Sequence, residues 1–334
     1  MRPPRPHRAA RRRARPVRRR TLLAGLLAGV PSVASGCRPD GTPLPPVVIA
    51  TGGGGGVYRA LGEAFAAALH DRWKVRATVL TTAASIENLH LLATGRADLA
   101  FTTVDAAAVT TTEVRGEGRI AALAGLYDDY LQIVVRADAS IATVADLRGR
   151  RVSTGAAGSG TEIAAGRVLA AAGVRGPGAI VRSRLPASAS GDALRAGRID
   201  AFFFAGGLPT PAVADLARTV RVRLLPVGSL VAGLQRSFGE VYLARSIPAG
   251  TYGLGREVPA VAIPNVLVVR ADMPSAEARE LTALLFASKP RLAAVHAQAR
   301  RLDRRAALAT YPLPLHPGAA RYFREAKPWA VSGS

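Results

Sequence analysis

The sequence predicts an α/β protein of two lobes, each a mostly parallel sheet flanked by helices, and three observations point there. From Val47 onward, short runs of β-branched and apolar residues alternate with helix-length Ala/Leu-rich stretches, the spacing of repeated strand–helix units. Two glycine-rich turns, at 51–58 and 155–162, each follow a strand and open a helix. Two stretches, 131–138 and 266–272, end in the same Val-Val-Arg-Ala-Asp, as two similar strands would.

The elements follow in order. Strands are expected at 47–51, 75–81, 98–103, 119–125 and 130–136, with further strand runs at 151–154 and 202–204. Amphipathic helices are expected at 57–70, 85–94, 160–172, 189–197, 210–218 and 275–288, each bounded by Gly, Pro or polar clusters, and 290–325 reads as helical. A chain that leaves one lobe, builds a second and returns needs two crossing strands, and the repeated ending suits that role. Lobe one is then 47–135 with 262–326, lobe two is 136–261, and 327–334 is a tail. Reuse of one strand-ending turn explains the repeat equally well.

Ten arginines crowd residues 2–20 with no acid among them, and a short run of small and apolar residues from Thr21 to Gly36 follows. A charged n-region, a short apolar h-region and small residues before a processing point make a signal peptide over 1–36. Arg19-Arg20-Thr21-Leu22-Leu23 has the twin-arginine arrangement, although so long a basic region also serves the general route. Cys37, the only cysteine, stands after Ala34-Ser35-Gly36 as in a bacterial lipobox, and a lone thiol in an oxidising compartment calls for some use. Lipid attachment at Cys37 and a flexible Pro/Gly-rich tether over 37–46 are expected. The bland alternative is a free thiol beside an ordinary cleavage site. An exported, membrane-anchored lipoprotein at the cell surface or in the periplasm follows.

The formal net charge of +22 belongs largely to that leader. The remaining excess is scattered and lacks basic runs interleaved with aromatics, so no nucleic-acid partner is expected. Three groups of residues have the form of ligand-holding loops. The first glycine run, Thr51 to Tyr58, lets backbone N–H groups approach a ligand at a helix start, where negative charge is favoured. It is neither a dinucleotide fingerprint, since Val57 stands where the last glycine belongs, nor a P-loop. The second, 155–162, carries Ser159 and Thr161, of which Thr161 is the better placed to cap the following helix. The third, 81–88, offers Ser85, whose hydroxyl suits a cap equally well. Phe204, at the end of an aromatic strand, is the aromatic residue expected in the cleft. Arg182 and Arg184 offer charge for an anion, or simply an exposed surface.

The ordered series TGGGGGVY, ASIENLHLLATGRADLAF, VADLRGRRVSTGAAGSGTE, LRAGRIDAFFFAGGLP, IPAGTY and PLHPGAARYFRE resembles the TAXI-type solute-binding proteins of TRAP transporters, over nearly all of 47–326. The resemblance implies a two-lobed, type II periplasmic-binding-protein-like fold. It also implies a small solute, glutamate-like or dicarboxylate, handed to TRAP membrane subunits by a monomeric receptor. Carried over by position, it assigns Thr51, Gly52, Gly53 and Tyr58 to the ligand site, with Ser85 and Asn88 from the Ser-x-x-Asn step and Ser159, Gly160 and Thr161 from the second loop. The chain departs from the usual pattern at Gly54, where Thr is common, at Arg59, where a second Tyr is frequent, and at Ala83-Ala84, which replace a glycine pair.

No enzymatic activity, cofactor or metal is expected. The five histidines have no metal-binding spacing, Ala157 breaks a nucleophile elbow at Ser159, and His316 in His-Pro-Gly suits a helix start. Asp128-Asp129 reads as a turn whose carboxylates face solvent. Enzymes do exist on such scaffolds, and a sensor feeding a membrane kinase is the other alternative.

Overall fold

The structure, a computed structural model, describes residues 45–54, 56–113 and 120–326. The expected signal peptide, Cys37, the tether as far as residue 44 and the tail at 327–334 lie outside the described residues, as does Gly55.

The chain begins with β1 (Val47–Ala50), α1 (Val57–Trp73), β2 (Ala77–Leu80), α2 (Ser85–Ala93), β3 (Leu99–Thr103), α3 (Val104–Glu113) and the long β4 (Ile120–Arg136). It continues with β5 (Arg151–Ser153), α4 (Gly160–Ala171), β6 (Val181–Ser183), α5 (Ala187–Arg195), β7 (Ala201–Gly206) and α6 (Pro211–Ala217). Then come β8 (Val222–Leu224), α7 (Val231–Phe238), β9 (Leu243–Ile247), β10 (Val258–Arg270), α8 (Ser275–Ala287), α9 (Lys289–Val295) and α10 (Pro317–Glu325).

Among the described residues these strands form one sheet in the order β2-β1-β3-β10-β4-β7-β5-β6, with β8 beside β4 and β9 beside β10. At one end β2, β1 and β3 run parallel; at the other β7, β5 and β6 do so. Between them β10 and β4 lie antiparallel to each other, β10 also to its neighbour β3 and β4 to its neighbour β7. The fold is thus a two-lobed α/β architecture with two mostly parallel sets of strands. Parallel strands connected by helices are covered on both faces, which explains why all five residues of β3, Leu-Ala-Phe-Thr-Thr, are buried.

The two strands expected at 119–125 and 130–136 are a single one. No Gly or Pro interrupts residues 126–129, so the chain has no reason to turn there, and β10 offers it a continuous partner. One extra residue of β4 between Gly125 and Asp128 is absorbed as a register shift against Pro264 and Val266. Pro264 has no N–H to donate and sits just beyond the β3 pairing, which begins at Asn265. The repeated Val-Val-Arg-Ala-Asp endings fall at opposite ends of this antiparallel pair, because Arg270 opposes Ile120, the first residue of β4, while Arg136 is its last. Each closes with its own ion pair, Arg136–Asp138 at 3.2 Å and Arg270–Asp272 at 2.9 Å.

Side chains alternate across the sheet as the pleat requires. Val266 and Val268 join one buried cluster, with Leu131, Ile133 and Val135, while Leu267 and Val269 join another beneath α1 and α8. The stretch 290–325 is helical only at its ends: Pro312 and Pro314 interrupt the pattern, Pro317 opens α10, and the segment between α9 and α10 makes short 3-10 turns. Among the described residues no helix is long and apolar enough to cross a membrane.

Candidate functional site

A cavity of about 910 Å³ opens where the carboxyl ends of the parallel strands of both lobes face each other. Helices α1, α2, α4, α5 and α6 all begin at its wall, since Val57, Ser85, Gly160, Ala187 and Pro211 border it. This arrangement follows from the strand-to-helix turns of an open α/β sheet, which deliver helix N-termini to one side. Each N-terminus carries partial positive charge, although Ser159 already takes one N–H of α4 and Pro211 at the start of α6 has none to offer.

Lobe one contributes its glycine run and the start of α2. Gly52, Gly53 and Tyr58 line the cavity, whereas Thr51 and Asn88 do not: both are fully buried behind it. Thr51 Oγ1 donates to Leu80 O at 2.6 Å. Asn88 Nδ2 donates to Phe101 O at 2.7 Å and to Thr51 O, and its Oδ1 accepts from Thr82 Oγ1 at 2.6 Å. These two residues hold the loop to the strand ends and touch no part of the cavity. The Tyr58 ring stacks on Phe101 with centroids 5.3 Å apart, and its hydroxyl donates to Asn265 Oδ1.

Ser85 faces the cavity and does not cap α2; its Oγ accepts from Thr103 N at 3.2 Å. Ala84 at the N-cap has no side chain that could cap, and Glu87 from the first turn reaches back to accept from Ala83 N at 2.6 Å, tying the preceding loop to the helix. Ala84, where the resemblance expects glycine, has φ +81°, a conformation that costs an L-residue on the order of 1 kcal/mol.

Lobe two supplies the second glycine loop. Ser159, not Thr161, caps α4, accepting from Glu162 N at 3.2 Å, because the hydroxyl one residue before the helix reaches the exposed N–H groups. Thr161 Oγ1 instead accepts from Ala205 N at 3.0 Å, tying α4 to β7. Ser159, Gly160, Thr161 and Phe204 all line the cavity. The lobes touch here: Ile86 N donates to Gly158 O at 3.2 Å. A Cβ on Gly160 would lie 2.8 Å from Thr103 Oγ1 and 3.0 Å from Ser85 Oγ, so glycine at 160 is what permits the approach. Arg182 and Arg184 do not border the cavity; Arg184 is exposed and pairs with Glu162 at 2.5 Å.

The floor was not foreseen. Asp128-Asp129 is no turn but the middle of β4, and the pleat sends the two carboxylates opposite ways. Asp128 pairs with Arg245 at 3.1 Å. Asp129 turns into the cavity, where it is 4% exposed. Burial above all, with Asp105 and Asp128 adding to it, pushes its carboxyl up to about 7, while Asn265, close by but outside hydrogen-bond geometry, pulls it partly back. Tyr127 lines the same floor. The signal for both lay in the unbroken strand pattern through 126–129. His316 caps α10, accepting Gly318 N at 3.1 Å.

Two lobes, a cleft between them and helix N-termini around it make up a two-lobed fold of the periplasmic-binding-protein-like kind. Residues 49–326 match the NMT1-like family, and the chain belongs to that family. It is also similar in structure to the periplasmic aliphatic sulphonate binding protein SsuA from Escherichia coli, at 18% identity and a TM-score of 0.49 over 86% of this chain and 85% of that one. A putative L-cystine ABC transporter from Listeria monocytogenes aligns at 13% identity and 0.48 over 75% and 94%. An ancestral arginine-binding protein bound to arginine aligns at 15% and 0.47 over 76% and 97%.

Proposed function

We propose that the chain is an extracytoplasmic solute receptor that holds a small carboxylate-bearing solute between its lobes and hands it to membrane transporter subunits. The observation that carries this reading is the convergence of helix N-termini from both lobes on one cavity. Gly52, Gly53 and Tyr58 on one side and Ser159, Gly160 and Thr161 on the other are the residues assigned to the solute. The resemblance to TAXI-type proteins supports TRAP subunits as the partners. The basic, apolar and small-residue leader ending at Cys37 supports export and lipid anchoring. Binding without turnover is the activity.

The strand pairing supports a hinge at residues 128–130 and 262–264, where β4 passes from its β10 partner to β7 and β10 from β9 to β3. A thermal-shift screen of the protein purified from an exporting host, against amino acids, dicarboxylates and other small acids, tests the reading. A ligand of the folded state raises its stability with the logarithm of the ligand excess. Stabilisation by acids is expected; silence across acids with a response to sugars or simple cations overturns it.

A further inference from the structure

The cleft has two electrical ends. Its walls present helix N-termini, which favour an anion, but its floor presents a buried carboxylate, which repels one. Among the described residues Asp129 Oδ1 has no hydrogen-bond partner, and the Tyr127 hydroxyl two residues along the strand has none either. Asn265 Nδ2, on the residue that accepts the Tyr58 hydroxyl, is likewise unpartnered. Buried polar atoms are satisfied in more than about nine cases in ten, so the two orphans on the cavity floor, on Asp129 and Tyr127, mark a place for a ligand group. An ionised carboxylate accepts hydrogen bonds and donates none. Among the cavity-lining residues the only guanidinium is that of Arg218, which is exposed and already paired with Asp215.

Resting on the carboxylate reading above, we infer that Asp129 is a specificity-determining residue: it takes the ammonium group of a zwitterionic solute whose carboxylate lies at the helix N-termini, with the Tyr127 hydroxyl beside it. Such a solute satisfies both ends at once. A dicarboxylate would set its second charge against Asp129, and like charges in one buried site oppose each other. The cleft therefore selects α-amino acids over the corresponding acids without the amino group.

Calorimetric titration with matched pairs tests this, each primary α-amino acid of proteins against the acid lacking only its amino group, such as L-glutamate against glutarate and L-leucine against 4-methylpentanoate. The expected result is at least tenfold tighter binding of one or more amino acids than of their matched acids, with that ratio falling toward one in Asp129→Asn. Equal or tighter binding of the matched acids, or a ratio unchanged in the variant, overturns the inference and leaves the receptor reading standing. Binding of neither series overturns both.

A measurement on the unaltered protein gives a second readout. The titratable groups facing Asp129 are Tyr58 from α1, Asp105 from α3, and Tyr127 and Asp128 on its own strand. Burial pushes both tyrosines well above their usual range, so they stay neutral. Near pH 7 an arriving ammonium then expels a proton from Asp129, whereas an arriving carboxylate draws one in. Titration in two buffers of different ionisation enthalpy reads the sign: release upholds the inference, and uptake overturns it.

Discussion

Asp105 and Asp129 are two buried acids within one molecule, and the chain treats them in opposite ways. Asp105, at the start of α3, is fully buried and surrounded by partners: it accepts from the Tyr242 hydroxyl at 2.9 Å and from Ala106 N at 2.8 Å, with the Arg167 guanidinium 3.9 Å away. Arg167 in turn donates to the Tyr242 hydroxyl at 2.7 Å and lies over the Phe238 ring at 4.2 Å. Asp129 has, among the described residues, an orphaned oxygen, no guanidinium among its charge partners and a cavity in front of it. Burial raises the carboxyl of each; at Asp105 hydrogen bonds from several neighbours and the Arg167 guanidinium oppose it, whereas at Asp129 only Asn265 does. A satisfied buried charge joins elements of the fold; an unsatisfied one awaits something from outside.

The largest expected effect is on the satisfied side. Asp105→Ala leaves Arg167 and the Tyr242 hydroxyl without their anion and should lower unfolding free energy by about 3 kcal/mol in urea titrations. A loss under about 0.5 kcal/mol would erase the contrast. The second effect is on pH dependence. The Asp129 carboxyl is held at about 7 in the fold against an ordinary 3.8, so the native state binds the proton more tightly than the unfolded one. Stability from this group is complete below about pH 4 and is lost as pH rises toward 7.

Asp129→Asn cannot ionise, so it should match the unaltered protein near pH 4 and exceed it by an amount on the order of 2 kcal/mol at pH 8. Asp105 contributes a slope of the same sign, but it is present in both proteins and cancels in the difference. Equal denaturation midpoints at pH 8 would show Asp129 to be compensated after all. The smallest effects form a matched pair of lost hydroxyls. Tyr242→Phe should cost about 1 kcal/mol in thermal melts, whereas Tyr127→Phe should change stability by less than about 0.5 kcal/mol.

The same contrast describes what the sequence discloses. Strand–helix alternation and glycine turns made the architecture legible, because periodicity and turn chemistry are local. The wall of the cleft was legible as well, since Gly52, Gly53, Tyr58, Ser85, Ser159, Gly160 and Thr161 sit in strand-to-helix turns or the helix starts that follow them, Phe204 near the end of β7, and all reach the cavity. Thr51 and Asn88 belong to the same turn and helix start, but their hydrogen bonds turn them inward, which no spacing rule discloses. The floor was misread because Asp128-Asp129 has the composition of a turn. Only the long-range pairing of β4 with β10 makes it a strand and decides which carboxylate enters the cleft. Partnership between distant residues, such as Asp105 with Tyr242, left no pattern at all.

The seventeen residues of β4 and thirteen of β10 run through both lobes rather than ending at a linker. Flexible linkers let neighbouring modules melt one after another, but here the strands that complete one lobe's sheet also complete the other's. Neither half can lose its order while the other keeps its own, so a calorimetric scan of the unliganded protein should show one cooperative heat-absorption peak. The two strands on which a hinge is proposed are the same ones that leave the molecule no seam along which to come apart.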